Sequence, residues 1–298
     1  MEKRNALSQC PAAIAGGATL MIKHLFILAS CWLSLLACSA TRSLSPSAHT
    51  LRLKGSDTMV PLVQRWAEEF MQRHAGIAVY VEGGGTATGF DALIKGEIEI
   101  CMASRPLRSL EARQLVERQQ NLGVATLVAK DGLSIYLHPD NPVRNLSLAQ
   151  LRDIYLGKIK YWREVGGSEE AIVVLSRSPN SGTHLYFQEH VLEGQAYGSH
   201  AISMPTTAAI VAEIEKNPRA LGYGGIAYGQ HLVHCKINGI SPTTEAVRKD
   251  IYPIARYLYF YTIKKPEGLT KQFIDWVLSR NGQRLVKEAG YMPLFEVP

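Results

Sequence analysis

Several marks of specialised protein classes are absent from this sequence. Its five cysteines show no CxxC pair and no Cys/His spacing of the kind that binds zinc, so we expect no metal site. The formal net charge is only +6, and the sequence has no dense stripe of lysine and arginine. Nucleic-acid-binding proteins usually carry such a stripe, so we expect no nucleic-acid partner.

No hydrophobic run near the start of the chain is long enough to span a membrane. The apolar run from Leu25 to Ala37 follows Lys23, and it is shorter than the roughly 20 residues that a membrane-spanning helix needs. Its length and basic start are typical of the apolar part of an export signal. We therefore interpret residues 1–37 as a signal peptide, with Met21 as its true start.

The end of this run predicts a lipid anchor. The stretch Leu35-Leu36-Ala37-Cys38 resembles a bacterial lipobox, whose cysteine is lipid-modified and becomes the first residue of the mature protein. An ordinary signal peptide that is cut nearby is the alternative. Residues 38–49 are Ser-rich and weakly apolar, which is typical of a flexible tether. We expect an extracytoplasmic lipoprotein, in the periplasm or at the cell surface, attached to a membrane through its lipid.

If the protein is exported, one disulfide bond becomes possible. Cys101, inside "IEICMAS", reads as a small buried apolar residue. In an oxidising compartment it could pair with Cys235. The sequence does not decide between these outcomes, because it does not set the distance between the two residues.

The rest of the chain has the composition and periodicity of an α/β protein. Hydrophobic residues make up 46% and charged residues 19% of the sequence, as in ordinary globular domains. "TLRLKG" alternates like a strand, and the following stretch places Leu62, Val63, Trp66 and Phe70 on one helical face. Strands and helices continue to alternate, which predicts a largely parallel sheet.

The alternation also predicts two lobes. It starts again after Leu133, and the tail of the chain begins with a strand, "IARYLYFYTI". We expect residues 50–132 and 250–298 to form a first lobe and residues 133–249 a second lobe. A ligand cleft would then lie between the lobes.

Three loops have the layout of an anion site. They are "GSDTMVP" (55–61), "GGGTATG" (83–89) and "RSPNSGT" (177–183), each between a predicted strand and a predicted helix. The carboxyl ends of strands face the ligand crevice in α/β sheets, and helix N-termini there present N–H groups and partial positive charge. Arg177 adds a fork of donors that suits phosphate or carboxylate. Together the loops predict a pocket for a tetrahedral oxyanion.

Other interpretations of these residues are weaker. Taken alone, each loop reads as a helix cap or a glycine turn. Phe90 stands where a P-loop needs lysine, and "GYGGIA" follows no predicted strand, which disfavours dinucleotide binding. Ser181 and His184 share a helical face, but "NSGTH" lacks the nucleophile elbow and an orienting acid. We expect no catalytic activity and no cofactor.

Spaced motifs then point to a family. "GSDTMVPLVQRWAEEF", "VEGGGTATGFDALIKGEIEICMASRPL", "VAKDGLSIYLHPDNPV", "RSPNSGT" and "LGYGGIAYG" resemble the periplasmic phosphate-binding proteins of ABC importers. The resemblance runs from about Leu51 to Pro298. It implies the type II periplasmic-binding-protein fold, with two α/β lobes that are joined by crossover strands and close over inorganic phosphate. It also implies delivery of phosphate to ABC permease subunits, and we expect a monomer.

The same resemblance implies a set of ligand-binding residues. They come from the three loops and from the loop after the third strand. The implied residues are Asp57, Thr58, the Met59 backbone, Thr86 where serine is more usual, Ser104, Arg105, Arg177, Ser181, Gly182 and Thr183.

One position departs from the family pattern. Well-known members have aspartate after the serine of the third-strand loop, and its carboxylate accepts the proton of hydrogen phosphate, which favours phosphate over sulfate. This sequence has Arg105 there. If Arg105 points into the cleft, sulfate, molybdate or more highly charged oxyanions become alternatives; otherwise it leans outward and pairs with a carboxylate. We expect Asp57 to take over as proton acceptor. A sensor that passes ligand occupancy to a partner is a further alternative.

The lipobox interpretation is testable by substitution. Cys38→Ser removes the thiol that would carry the lipid, so we expect an unlipidated protein that partitions into the aqueous phase. Metabolic labelling with a fatty-acid analogue measures the modification. Lipid label that persists in Cys38→Ser would rule out the lipobox.

Overall fold

Strands rich in β-branched and aromatic residues alternate with amphipathic helices along residues 50–297, the part of the chain that this computed structural model describes. The predicted signal peptide, Cys38 and the tether lie outside these residues. The strands are β1 (Thr50–Gly55), β2 (Ala78–Glu82), β3 (Ile100–Ala103), β4 (Val124–Leu137), β5 (Asn145–Leu146), β6 (Val173–Arg177), β7 (Ile202–Met204), β8 (Ala220–Gly225), β9 (Val233–Ile237) and β10 (Ala255–Thr262).

The helices follow the strands in the order that the alternation predicts. They are α1 (Val60–Arg73), α2 (Thr86–Lys95), α3 (Ser109–Gln119), α4 (Leu148–Leu156), α5 (Gly182–His190), α6 (Thr207–Ile214), α7 (Thr244–Arg248), α8 (Gly268–Val277) and α9 (Arg280–Glu288), with a 3-10 turn at Trp162–Val165.

The strands form one curled sheet that is mixed rather than largely parallel. Its order is β2-β1-β3-β10-β4-β8-β6-β7, with β9 paired to β4 and β5 paired to β9. The outer pairs β1/β2, β1/β3, β6/β7 and β6/β8 are parallel, while β10 and β4 pair antiparallel with each other and with their neighbours. The expectation of a largely parallel sheet therefore holds on both sides but fails in the middle.

Strand β4 belongs to both sides of the sheet. Residues 124–132 pair with β10, and residues 133–137 pair with β8 and β9. Where β4 and β10 run side by side, Asp131 lies directly opposite Arg256. The two strands therefore carry the chain between one parallel unit and the other.

The hydrophobic core divides at the same place. One cluster spans Leu51 to Ala129 and Leu258 to Tyr291, and another spans Leu133 to Ile254, with Met292. Smaller clusters extend each of them. We call residues 50–129 with 258–291 the first half and residues 133–254 the second half. The predicted lobe boundaries at 132 and 250 remain a prediction.

Helix α1 shows how periodicity produces this packing. Pro61 lies in its first turn, where proline costs no hydrogen bond. The predicted apolar face is confirmed, because its four side chains are fully buried. Trp66 also donates its Nε1 proton to the Gly282 carbonyl at 2.8 Å and packs edge-on against Phe260. Burial of each large apolar side chain contributes about 1.5–3 kcal/mol, so this face fixes α1 on the sheet.

The two described cysteines do not pair. Cys101 in β3 and Cys235 in β9 are both free and buried, and they belong to different core clusters. Burial raises the pKa of the Cys101 thiol well above its usual range and that of Cys235 to about 12. Both thiols are therefore protonated and unreactive near neutral pH.

Two features are absent from residues 50–297. None of the helices there has the length and apolar character that crossing a membrane requires. No three His, Cys, Asp or Glu side chains in this part of the chain lie close enough together to hold one metal ion.

Candidate functional site

Three helices begin close together where the two halves meet. Helices α1, α2 and α5 follow the carboxyl ends of β1, β2 and β6, and these connections are the three loops that the sequence singled out. The first amides of a helix have no partner inside the helix, and its N-terminus carries a partial positive charge. Their convergence produces a site that favours a negative ligand.

Four hydroxyl groups meet at these helix starts. Thr58 Oγ1 lies 3.0 Å from Thr183 Oγ1, and Thr86 Oγ1 lies 3.3 Å from Ser104 Oγ. All four side chains are 1% exposed or less. We call these residues the hydroxyl cluster. Thr183 belongs to the second half and the others to the first, so the cluster exists only where the halves touch.

Gly182 allows this close contact. A Cβ atom at this position would lie 2.3 Å from Thr86 Oγ1 and 2.6 Å from Ser104 Oγ, well inside contact distance. Gly182 and Thr183 are consecutive, so the first turn of α5 reaches both hydroxyl pairs. Only glycine lets the backbone of α5 approach the first half this closely.

Ser181 and the Met59 amide, two further implied ligand groups, form hydrogen bonds within the chain. Ser181 is the N-cap of α5, and its Oγ accepts hydrogen bonds from the amides of Thr183 and His184 at 3.2 and 3.4 Å. Its own hydroxyl proton is still available to a ligand. The Met59 amide donates to the Ser56 carbonyl at 2.9 Å, and its side chain is buried in the core.

Arg177 joins all three loops through Asp57. Its side chain is 1% exposed, and one terminal nitrogen donates to Asp57 Oδ2 at 2.7 Å. The other donates to Thr207 Oγ1 at 3.0 Å. Asp57 Oδ1 accepts from the Gly84 amide at 2.8 Å. Asp57 therefore holds the glycine loop and the arginine loop together, and it does not cap α1.

Arg105 is held by a carboxylate of its own half. Its two terminal nitrogens donate to the two oxygens of Glu111 at 2.8 and 2.6 Å, and its guanidinium lies 5.3 Å from the centre of the Phe90 ring. Another hydrogen bond goes to the Pro106 carbonyl. This corresponds to the alternative in which Arg105 pairs with a carboxylate, although the pair is largely buried rather than on the surface.

The structure adds two charged residues that the sequence did not single out. Arg256 donates from one terminal nitrogen to Thr183 Oγ1 at 3.0 Å, and its other nitrogens bind Asp131. Both side chains are 1% exposed or less. A signal was available, since each residue interrupts an apolar strand and charged residues are seldom buried without a partner.

Ser181 and His184 do not form a catalytic pair. The Nδ1 of His184 lies 3.3 Å from Ser176 Oγ, and its ring stacks on Tyr197 at a centroid distance of 4.2 Å. Ser181 Oγ meets only backbone amides among the hydrogen bonds of the described chain. A general base must reach the proton that it removes, so this arrangement gives no support to a hydrolase.

Most of the chain matches a known protein family. Residues 40–281 match the PBP superfamily domain. The phosphate-binding protein PstS of Bacillus subtilis strain 168 is 30% identical over 257 residues, which cover 84% of this chain and 83% of that protein. The chain belongs to the PstS family. Another PstS, from Staphylococcus epidermidis RP62A, is 31% identical over 254 residues and 77% of its length is covered.

This member of the PstS family is also similar to solved structures of phosphate transport proteins. A phosphate ABC transporter substrate-binding protein with bound phosphate, from Clostridium perfringens, is 29% identical with a TM-score of 0.77; the match covers 83% of this chain and all of that one. A phosphate transport receptor from Vibrio cholerae is 27% identical, with a TM-score of 0.68 over 82% of this chain and 99% of that one. The predicted two-lobed α/β fold is confirmed.

The environment of His184 predicts a pH effect on stability. Burial lowers the pKa of His184 below its usual range, so below about pH 6.5 the unfolded chain binds a proton there more readily than the folded chain. Stability should therefore fall as the pH falls through this range. Urea unfolding at about pH 7.5 and about pH 5.5 measures the loss, which should shrink in His184→Gln.

A second histidine provides the control for this measurement. His231 is exposed, and His231→Gln should keep more of the wild-type pH dependence than His184→Gln. If His184→Gln and the wild type lose the same stability over this pH range, His184 does not cause the effect.

Proposed function

We propose that this protein binds inorganic phosphate between its two halves and presents it to the permease of an ABC importer. The observation that carries the proposal is the meeting of buried hydroxyl groups from both halves around the start of α5. Hydroxyls and helix amides donate hydrogen bonds, and a tetrahedral oxyanion has four oxygens that accept them. The relatives that share the fold are named as phosphate-binding proteins.

Arg177 supports an anionic ligand. Its Nε is buried and has no hydrogen-bond partner within the described chain. Buried donors are nearly always satisfied, and a bound oxyanion would offer an acceptor. We propose that Arg177 provides the main positive charge of the site. Its partners Asp57 and Thr207 hold its fork in place.

The site also requires that the lobes move. We propose a first lobe of residues 50–132 with 250–298 and a second lobe of 133–249, joined by β4 and β10. The division of the hydrophobic core supports the boundary at 132, but it places Tyr252 and Ile254, which lie after residue 250, with the second half. Phosphate would stabilise the closed form, because its contacts to the second half require the two halves to meet.

The remaining assignments follow from the proposed transport role. We propose that residues 1–37 direct export, that Cys38 carries lipid, and that the binding protein acts outside the cytoplasm as a monomer without catalytic activity. The relatives include proteins named as substrate-binding components of phosphate ABC transporters, which supports a permease partner.

Sulfate or molybdate binding is the second candidate, and one observation favours it. Arg105 stands in place of the aspartate that accepts a phosphate proton elsewhere in the family, and it is occupied by Glu111. The carboxylates of Asp57 and Asp131 are both bound to arginines. If those arginines leave no acceptor for the ligand, the site does not discriminate against an anion that lacks a proton.

The first experiment titrates purified, ligand-free protein with phosphate and with sulfate by calorimetry between about pH 5 and about pH 9, a range over which phosphate changes its charge. Binding of phosphate alone supports the proposal and an acceptor role for Asp57. Binding of sulfate as well supports the second candidate. Binding of neither contradicts both and leaves a sensing role.

Arg177→Ala tests the proposed charge. Charge-assisted hydrogen bonds contribute about 1.5–3 kcal/mol, so phosphate affinity should fall more than tenfold. Arg152→Ala is the control, because Arg152 lies in the same half and is partly buried but bonds to the Val191 carbonyl and to Glu193. An Arg177→Ala protein with wild-type affinity would remove Arg177 from the site.

Gly182→Ala tests closure. Alanine favours a helix over glycine by about 1 kcal/mol, yet its Cβ would collide with Thr86 and Ser104 when the halves meet. We expect weaker phosphate affinity and, with saturating phosphate, a larger radius of gyration by small-angle X-ray scattering. Glu189→Ala on the exposed side of α5 is the control. A variant as compact and as tight-binding as the wild type would contradict the contact.

A further inference from the structure

A buried ion pair lies on the two strands that connect the halves. Asp131 of β4 and Arg256 of β10 are directly opposite each other in the sheet. Along β4, Asp131 lies between Ala129 of the first core cluster and Leu133 of the second. Along β10, Arg256 lies between Ile254 of the second cluster and Leu258 of the first. The pair therefore marks the boundary about which the halves would rotate.

The guanidinium of Arg256 contacts both halves at once. Its Nε and one terminal nitrogen donate to Asp131 Oδ2 at 3.1 and 2.9 Å. The other terminal nitrogen donates to Thr183 Oγ1 in the second half at 3.0 Å and to the Ser104 carbonyl in the first half at 3.4 Å. The Tyr186 ring of α5 lies 5.7 Å away. One nitrogen thus bridges two members of the hydroxyl cluster.

This bridge determines the direction of the Thr183 hydroxyl proton. Arginine can only donate hydrogen bonds, so Thr183 Oγ1 must accept from Arg256. Its single proton then points away from Arg256, toward Thr58 Oγ1 at 3.0 Å or toward an anion that lies between the helices. The Ser104 carbonyl accepts from the same nitrogen, which fixes the loop after β3 relative to α5.

We propose that Arg256, held by Asp131, is a positioning residue that makes Thr183 a hydrogen-bond donor to the bound anion when the two halves close. This inference rests on the proposed function. Opening moves Thr183 away from the Ser104 loop, so Arg256 cannot keep both bonds. The orientation of the hydroxyl is then released together with the ligand, which links the hinge to the binding site.

Arginine is required for this role because of its shape. Two of its nitrogens grip Asp131 while the third reaches Thr183, and the planar fork holds both groups at fixed angles. A lysine ammonium carries the same charge but is a single point, so it can satisfy Asp131 and leave Thr183 without its donor. Arg256→Lys therefore keeps the positive charge and removes the planar fork of donors.

A double-mutant cycle tests the proposal. Phosphate affinity is measured for the wild type, Arg256→Lys, Thr183→Val and the double variant. We expect Arg256→Lys to weaken phosphate binding about tenfold in the wild-type background and less than about twofold in the Thr183→Val background, because the hydroxyl on which Arg256 acts is then missing. Equal losses in both backgrounds would overturn the proposal.

The matched control uses another member of the hydroxyl cluster. Thr86 is equally buried, but its hydroxyl bonds to Ser104 and receives nothing from Arg256. The losses of Arg256→Lys and Thr86→Val should therefore add. Coupling as strong as that with Thr183 would mean that Arg256 acts on the site as a whole, and this outcome contradicts a specific positioning role.

A neutral pair keeps the test valid if Arg256→Lys fails to fold. Arg256→Met combined with Asp131→Asn removes both charges together, leaves no lone buried charge and leaves no donor to Thr183 at position 256. With its fold verified by thermal melting, this protein should still bind phosphate at least about tenfold more weakly than the wild type. Wild-type affinity in the neutral pair overturns the inference alone. A wild-type protein that binds no phosphate overturns the proposed function itself.

Discussion

The antiparallel contact between β4 and β10 is the constraint on which the rest of the structure depends. Both strands contribute to two hydrophobic cores, so their register fixes where the two halves join. The Asp131–Arg256 pair reinforces that register, because two buried charges are tolerated only when they face each other. Burial raises the pKa of Asp131, so its negative charge depends on Arg256. A slip of one residue would separate the pair and bury both charges without partners.

The same constraint explains the position of the site. In both parallel units the carboxyl ends of the strands point toward the boundary between the halves on β4 and β10. Helices α1 and α2 therefore begin opposite α5. Each half supplies an incomplete set of donors, and only contact around Gly182 assembles them. Asn180 strengthens this contact, since its side chain donates to the Gly84 carbonyl and its own carbonyl accepts from the Ala87 amide. The site is thus a property of the closed arrangement rather than of either half.

Local pattern was sufficient to predict many of the elements, but it missed strand β8 (Ala220–Gly225), which contains the start of "GYGGIA", and it did not predict the pairing of charges. The apolar face of α1 and the three loops follow from periodicity and from glycine, serine and threonine at helix starts, all of which are short-range signals. Asp131 and Arg256 lie 125 positions apart, and a sequence reveals that each charge needs a partner without revealing which one. Arg105 is a different case. Glu111 is six residues away and follows Arg108 at capping-box spacing, so Glu111 could have been considered as a local partner of Arg105.

The ion pair between Arg105 and Glu111 changes the expected effect of having arginine instead of aspartate at position 105. Because Glu111 neutralises it within its own half, the substitution removes an acceptor without adding a free positive charge to the cleft. The carboxylate of Asp57 has about four lone-pair positions, and the described structure uses two of them, for the Gly84 amide and for Arg177. An engaged carboxylate can thus still accept one hydrogen bond from a protonated phosphate. In the proposed site, discrimination between phosphate and sulfate would therefore depend on whether a ligand oxygen reaches Asp57, and Arg177, which binds the same carboxylate, would limit that approach.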